Sequence, residues 1–260
     1  MKPEEIAAYI GAAAWLPQIA TWLFQRYVQP SVRILPNQYA EVSFTSLGPI
    51  FNLRMAFSVD KKDIIIDGME LVLRHNDGDI RTLRWAGLGE TFSEITDAAG
   101  NKQIISRDQS PIAIKIGTQS LLEKFVRFQE SSYHESDRPL IQALIAHFNY
   151  LKQTKPDGYV QEVLDSKELF SLLEARKKSF WWKEGRYNIE VRITSPQKFT
   201  LLNSQFYFDL SKNDVVFLER NLVTLEADLK NIISSNLPDF QLLPLNWNWA
   251  NVDVNHVINE

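Results

Sequence analysis

The stretch from Ile6 to Phe24, IAAYIGAAAWLPQIATWLF, carries no charged side chain and begins five residues into the chain. A helix over it is roughly 28 Å long at about 1.5 Å per residue, close to the hydrocarbon thickness of a bilayer. Trp15 and Trp22 lie within it, Tyr27 follows it and Arg26 supplies a charged stop. Gln18 and Thr21 are its clearly polar side chains, and Pro17 removes one backbone hydrogen bond in mid-span. A membrane helix tolerates both features. Three readings stay open: a transmembrane or membrane-embedded anchor, an apolar helix buried in a core or an oligomer, and a cleaved signal peptide. The acidic start MKPEE and the short apolar run before Ala12–Ala14 oppose the last. The anchor leads on length and absence of charge. Lys2 on one side and Arg26 and Arg33 on the other are nearly even, and a short acidic tail crosses readily. The large domain is therefore expected on the cytoplasmic side.

The rest is long enough for one large domain or two small ones and buries a sizeable core without staples. There is no cysteine, which excludes disulfides, thiolate metal sites and cysteine nucleophiles. The net charge of −4 comes from well-mixed charges, so no broad basic face is offered to nucleic acid, and none is expected as a partner.

Past residue 28 the pattern is strand-like. Phe51, Leu53, Met55, Phe57 and Val59 alternate with more polar residues, the period of a half-buried strand. A second strand covers Asp67 to His75, Asn76-Asp77-Gly78-Asp79 is a strong turn, and Ile80 to Trp85 returns as a hairpin. Val32–Leu35, Tyr39–Phe44 and Ile112–Ile116 read as further strands. From Thr118 to about Lys178 the apolar spacing is helical, with a stripe of Leu140, Leu144, Phe148 and Leu151. Ser136-Asp137 is the expected cap of that helix, with Pro139 in its first turn. A second helix is expected to start at Asp165 with Glu168 completing the cap. Strands return at Arg186–Ile193 and Phe206–Leu210. Val215, Leu218, Leu222, Leu225, Leu229 and Ile232 then mark a long helix, and Leu245, Trp247 and Trp249 an edge strand or extended arm.

The segment Lys183-Glu184-Gly185-Arg186-Tyr187, opening a strand of inward Ile and Val, resembles the tyrosine corner of immunoglobulin-like and fibronectin type III-like domains. The resemblance implies an antiparallel β-sandwich, in a chain without the disulfide and with a helical block between the presumed strands E and F. The expected class is thus α+β: an N-terminal apolar helix at 1–28, and an immunoglobulin-like sandwich at 29–240. That sandwich carries a helical insertion at about 118–180 and a helix at about 212–235, and an arm follows at 241–260. No family function carries over.

No chemical motif stands out. His75, His134, His147 and His256 form no metal-binding spacing, and His134-Glu135-Ser136-Asp137 reads as a solvated turn. Gly87-Leu88-Gly89-Glu90 lacks the third glycine of a phosphate cradle, and no cofactor is expected. The stretch that stands out is Arg176-Lys177-Lys178-Ser179-Phe180-Trp181-Trp182-Lys183, four cations bracketing three aromatics. Such a mixture suits a lipid headgroup layer or an acidic partner, or else the aromatics cover the sandwich end. The leading functional reading is a non-catalytic, membrane-anchored interaction module for an unidentified protein partner. The alternatives are a soluble binding or regulatory protein assembled into a homo-oligomer through its N-terminal helix, and a hydrolase built on two carboxylates. Sugar recognition through Trp247 and Trp249 is a minor variant.

Overall fold

The structure, a computed structural model, describes residues 3–96, 102–109, 112–235, 237 and 239–257. The chain opens with helix α1 (Pro3–Tyr27) and strands β1 (Ser31–Thr45), β2 (Gly48–Asp60), β3 (Ile64–Ile66), β4 (Gly68–His75), β5 (Ile80–Thr96), β6 (Lys102–Gln109), β7 (Ile114–Ile116) and β8 (Leu121–Gln129). Helices α2 (Ser131–Thr154), α3 (Tyr159–Leu164) and α4 (Lys167–Lys178) follow. Then come β9 (Gly185–Thr194), β10 (Thr200–Leu202), β11 (Gln205–Leu210), α5 (Lys212–Glu219), α6 (Asn221–Ser234), β12 (Ala250–Asp253) and β13 (Asn255–His256).

One hydrogen-bonded order, β10-β1-β2-β8-β5-β4-β9-β11-β13, runs through the large sheet, with β12 on β1 and β6 on β5. Its two ends belong together. β10 lies parallel on Ser31–Arg33 of β1, while β11, two residues further along the chain, lies antiparallel on β9. Asn203, between them, has φ +55°, the left-handed backbone that redirects the strand. Where β1 and β11 diverge, the C-terminal strand fills the gap: β12 pairs with Tyr39–Val42 and β13 with Phe206–Tyr207. The sheet therefore curls, and the C-terminal segment lies along both of its ends, β12 covering the Tyr39–Val42 edge of β1 and β13 lying on β11.

The interior follows from the period-2 alternation. Phe51, Leu53, Met55, Phe57 and Val59 of β2, Val126 and Phe128 of β8, and Phe206 and Phe208 of β11 are all buried. The Phe51 and Phe208 rings lie 5.2 Å apart although β2 and β11 are not neighbours, so side chains from across the curl fill it. At the end where α1 joins, the two-stranded β3–β7 sheet buries Ile64, Ile66, Ile114 and Ile116. At the other end α2 leaves β8 and α5 leaves β11, forming a helical cap. β1 spans the two ends, its 15 residues covering roughly 45 Å.

The α+β class and the alternating strands agree with the sequence reading. The sandwich does not emerge: strands that a sandwich would divide between two facing sheets lie here in one curled sheet. Residues 121–129 are strand β8, not helix. Leu121, Leu122, Phe125 and Val126 mimic helical spacing because Lys124 occupies a position that alternation would make apolar. Val32–Leu35 and Tyr39–Phe44 are one strand, irregular between Pro36 and Ala40. Only Ile114–Ile116 of the 112–116 stretch is strand. α2 begins at Ser131, so Pro139 lies inside the helix. Ser166, whose hydroxyl accepts the Leu169 N–H (3.2 Å), caps α4 in place of Asp165. The long C-terminal helix is two, α5 and α6, with a capping box at Ser211 and Asp214. Leu245, Trp247 and Trp249 are not in a strand; the strands of this segment are Ala250–Asp253 and Asn255–His256.

Ending the chain after Trp249 uncovers the Tyr39–Val42 edge and removes the buried Val252 and Val254. Each such valine is worth about 1.5–3 kcal/mol when fully buried. The truncated protein is expected to melt several degrees lower and to aggregate at the exposed edge. An unchanged melting temperature would mean that the C-terminal strand does not cover that edge.

Candidate functional site

The aromatic–basic segment grows out of α4, whose Leu169, Leu172 and Arg176 share the buried face. Arg176 is therefore not a surface cation. Its Nε and Nη2 donate to the two Asp137 carboxylate oxygens, each at 2.8 Å, and the side chains are 5% and 7% exposed. Burial opposes the guanidinium charge, but the Asp137 hydrogen bond overrides it and the net effect raises the Arg176 pKa. Asp137, read from sequence as a helix cap, instead turns inward from the second turn of α2.

After α4 the chain turns its rings into the cap. Phe180 meets Phe44 edge-on at 5.4 Å. Trp181 and Trp182 are buried, Trp182 only 2% exposed. The Trp182 indole N–H donates to the Ser43 carbonyl (3.0 Å) and that of Trp181 to Glu130 Oε2 (2.9 Å). Arg81 lies 5.5 Å over the Trp181 ring. The Tyr187 hydroxyl accepts the Lys183 N–H at 2.8 Å, a return to the backbone four residues upstream, and its ring stacks on Phe208. Burial pushes the Tyr187 pKa up to about 12. The expected partner surface thus separates: Arg176, Trp181 and Trp182 are core, Phe180 is half-buried, and Lys177, Lys178 and Lys183 are solvated. Lys177 pairs with Glu174 (3.5 Å) and Lys183 with Asp77 (2.7 Å).

A polar clasp fastens this segment to the β4–β5 turn. His75 Nδ1 lies 2.8 Å from Asp77 Oδ1, and Nε2 lies 3.1 Å from the Glu184 carbonyl. Lys183, the Asp79 N–H and His75 together hold the Asp77 carboxyl well below the usual carboxylate range. Gly185, at φ +133°, is required here: a Cβ would come within 2.7 Å of His75 Nε2. Among the described residues, no group of three His, Asp or Glu side chains is placed to hold a metal ion. Trp247 is half-buried against the core. Neighbouring Asn248 has its backbone N–H and carbonyl bound by the Asn221 amide (2.7 and 2.8 Å), and Trp249 is half-buried like Trp247.

The opposite end is different in kind. Every residue from Ala13 to Phe24 of α1 is exposed, with Trp15 at 63% and Trp22 at 54%. Leu16, Ile19, Leu23 and Phe24 are uncovered too. Thr21 donates its hydroxyl to the Pro17 carbonyl (2.7 Å), hiding it within the helix. Arg26 stacks over Trp22 at 5.3 Å. Among the described residues no helix is long and apolar enough to cross a membrane, so the transmembrane form of the expectation has no support. What stands is the apolar surface of Ala13–Phe24, bare among the described residues.

Two outcomes follow for the cap. Asp137→Asn strands a buried guanidinium and is expected to cost about 3–5 kcal/mol in urea unfolding, whereas the paired change Asp137→Leu with Arg176→Met recovers most of it. Asp77 has a depressed folded pKa, so its contribution is full above its unfolded value near ~3.9 and is lost as pH falls through the folded value. Asp77→Asn is therefore expected to flatten the acid limb of the stability–pH curve, measured by thermal melts below pH 5, and to leave the neutral-to-alkaline side unchanged in shape.

Searches against family models, curated proteins and solved structures find no match to this chain.

Proposed function

We propose that this protein is a non-catalytic interaction module seated on a lipid surface by α1, which holds the curled-sheet domain with its helical cap directed away from the lipid. The observation that carries the reading is the uncovered apolar surface from Ala13 to Phe24. Bare apolar surface of this extent gains by removal from water, and a helix lying in the lipid interface buries it without crossing the membrane. Trp15, Leu16, Ile19, Trp22, Leu23 and Phe24 each gain roughly 1.5–3 kcal/mol if fully buried, which favours partition even after the cost of immobilising the chain. The rest of the helix fits the same medium. Thr21 satisfies its hydroxyl internally, and Trp22 beside Arg26 is the aromatic–cation pair expected where acyl chains give way to headgroups. Because β1 leads from α1 to the Ser43 carbonyl under Trp182, the cap sits at the far end from the helix. Seating raises the local concentration of the module, so a partner met there need not bind tightly.

Flotation with phosphatidylcholine vesicles tests this. The natural protein is expected to float with the vesicles. The triple variant Leu16→Glu, Ile19→Glu, Leu23→Glu is expected to stay in the dense fraction with unchanged thermal unfolding. If the natural protein stays down and forms a defined oligomer that the same substitutions dissolve, α1 is an assembly element and the lipid reading is wrong.

A further inference from the structure

The outer wall of the curled sheet carries a polar depression that the lipid reading does not use. It is set by the irregularity in β1. Between Pro36, paired with Met55, and Ala40, paired with Leu53, β1 advances four residues while β2 advances two. The extra length bulges at Asn37, Gln38 and Tyr39, and bulges of this kind re-aim side chains beside sites. Asn37 Oδ1 accepts the Gln38 N–H (2.9 Å) and the Gln38 carbonyl accepts the Val254 N–H (2.7 Å), which hold the bulge open. Directly beyond it, register aligns a row across three strands: Asn251 of β12 opposite Glu41 of β1, and Glu41 opposite Asn52 of β2.

Asn52 is the odd member. It is 3% exposed, its Nδ2 donates to Glu41 Oε2 at 3.1 Å, and its buried Oδ1 has no partner. Turning the amide over would set its oxygen against the Glu41 carboxylate, so this orientation is the one the chemistry demands. A buried acceptor without a donor is costly and is rarely kept without a use. Asn52 lines a cavity of about 160 Å³, together with Asn37, Tyr39, Glu41, Arg54 and Asn251. Phe125 adds a second aromatic wall beside Tyr39, which is 58% exposed.

We infer that this depression is a binding site for a single neutral sugar ring. The orphan Asn52 oxygen and the Glu41 carboxylate both ask for O–H donors, and adjacent sugar hydroxyls supply them. The Asn251 amide and the Arg54 guanidinium offer donors to the same hydroxyls as acceptors, which an ammonium ion cannot use. Arg54 pairs with Glu123 at 3.5 Å, and Tyr39 and Phe125 suit the apolar face of a pyranose. The volume is well below that of drug-sized pockets and matches one small ring. The site is independent of α1, so its failure leaves the lipid reading untouched.

The test is an NMR titration of the full chain with glucose, galactose, mannose and N-acetylglucosamine in turn, followed at the backbone amides of 37–41 and 250–253. At least one sugar is expected to give saturable shifts there in the millimolar range. Asn52→Leu, which removes the orphan acceptor at similar volume, is expected to weaken that binding at least tenfold with an unchanged or higher melting temperature. Tyr39→Ala, at an exposed position, is expected to weaken it several-fold and serves if Asn52→Leu does not fold. Absence of saturable shifts with all four sugars overturns the inference. So does binding that both variants leave intact, or shifts produced by tetramethylammonium chloride but by none of the sugars.

Discussion

The structure hangs on the double pairing of β1. One edge of that strand carries β2 on both sides of the bulge at residues 37–39, and the other is shared by β10 and β12. Ser31–Arg33 holds the start of the β10–β11 segment, and Tyr39–Val42 holds the last strand of the chain. Because β11 is already bound to β9, these two short ladders draw the two ends of the sheet toward each other and curl it. Everything else is placed by that curl. Phe51 and Phe208 touch across the interior only because the curl brings β2 and β11 face to face. The Trp182 indole reaches the Ser43 carbonyl only because β1 ends beneath the cap.

The curl also polarises the molecule. One end receives α1 and is sealed by the small β3–β7 sheet; the other is sealed by helices and tryptophans. One charged group that looks like surface in the cap serves its interior: Arg176 neutralises the buried Asp137. The apolar groups that look like core are on the outside, along α1. This inversion is why the helix, rather than the aromatic–basic segment, carries the functional reading.

Local signals were legible and long-range ones were not. The alternation at Phe51–Val59 and at Tyr187–Ile193, the Asn76–Asp79 turn and the Leu222–Leu229 spacing all appear in the structure as strand, turn and helix. Each depends on neighbours within a few residues. The return of Tyr187 to the Lys183 backbone was legible for the same reason. Alternation, however, looks the same in a sandwich and in a curled sheet, because both bury one face. What separates them is whether Thr200 meets Ser31, a pairing across more than half the chain. The inward turn of Arg176 was hidden likewise: a run of cations reads as a solvated face unless its partner, 39 residues upstream, is known to be buried with it. The Glu41–Asn52–Asn251 row had no sequence signal, since register alone assembles it.

A cysteine-free chain allows the two-ended arrangement to be measured directly. A nitroxide placed through Leu16→Cys on α1, and in a separate protein through Ser132→Cys on the exposed start of α2, can be probed on phosphatidylcholine vesicles with oxygen and with a water-soluble nickel chelate as relaxing agents. The arrangement described here predicts that the label at position 16 is relaxed by oxygen and shielded from the chelate, while the label at 132 responds strongly to the chelate. Equal access of the chelate to both positions, or shielding at 132 with exposure at 16, would contradict it.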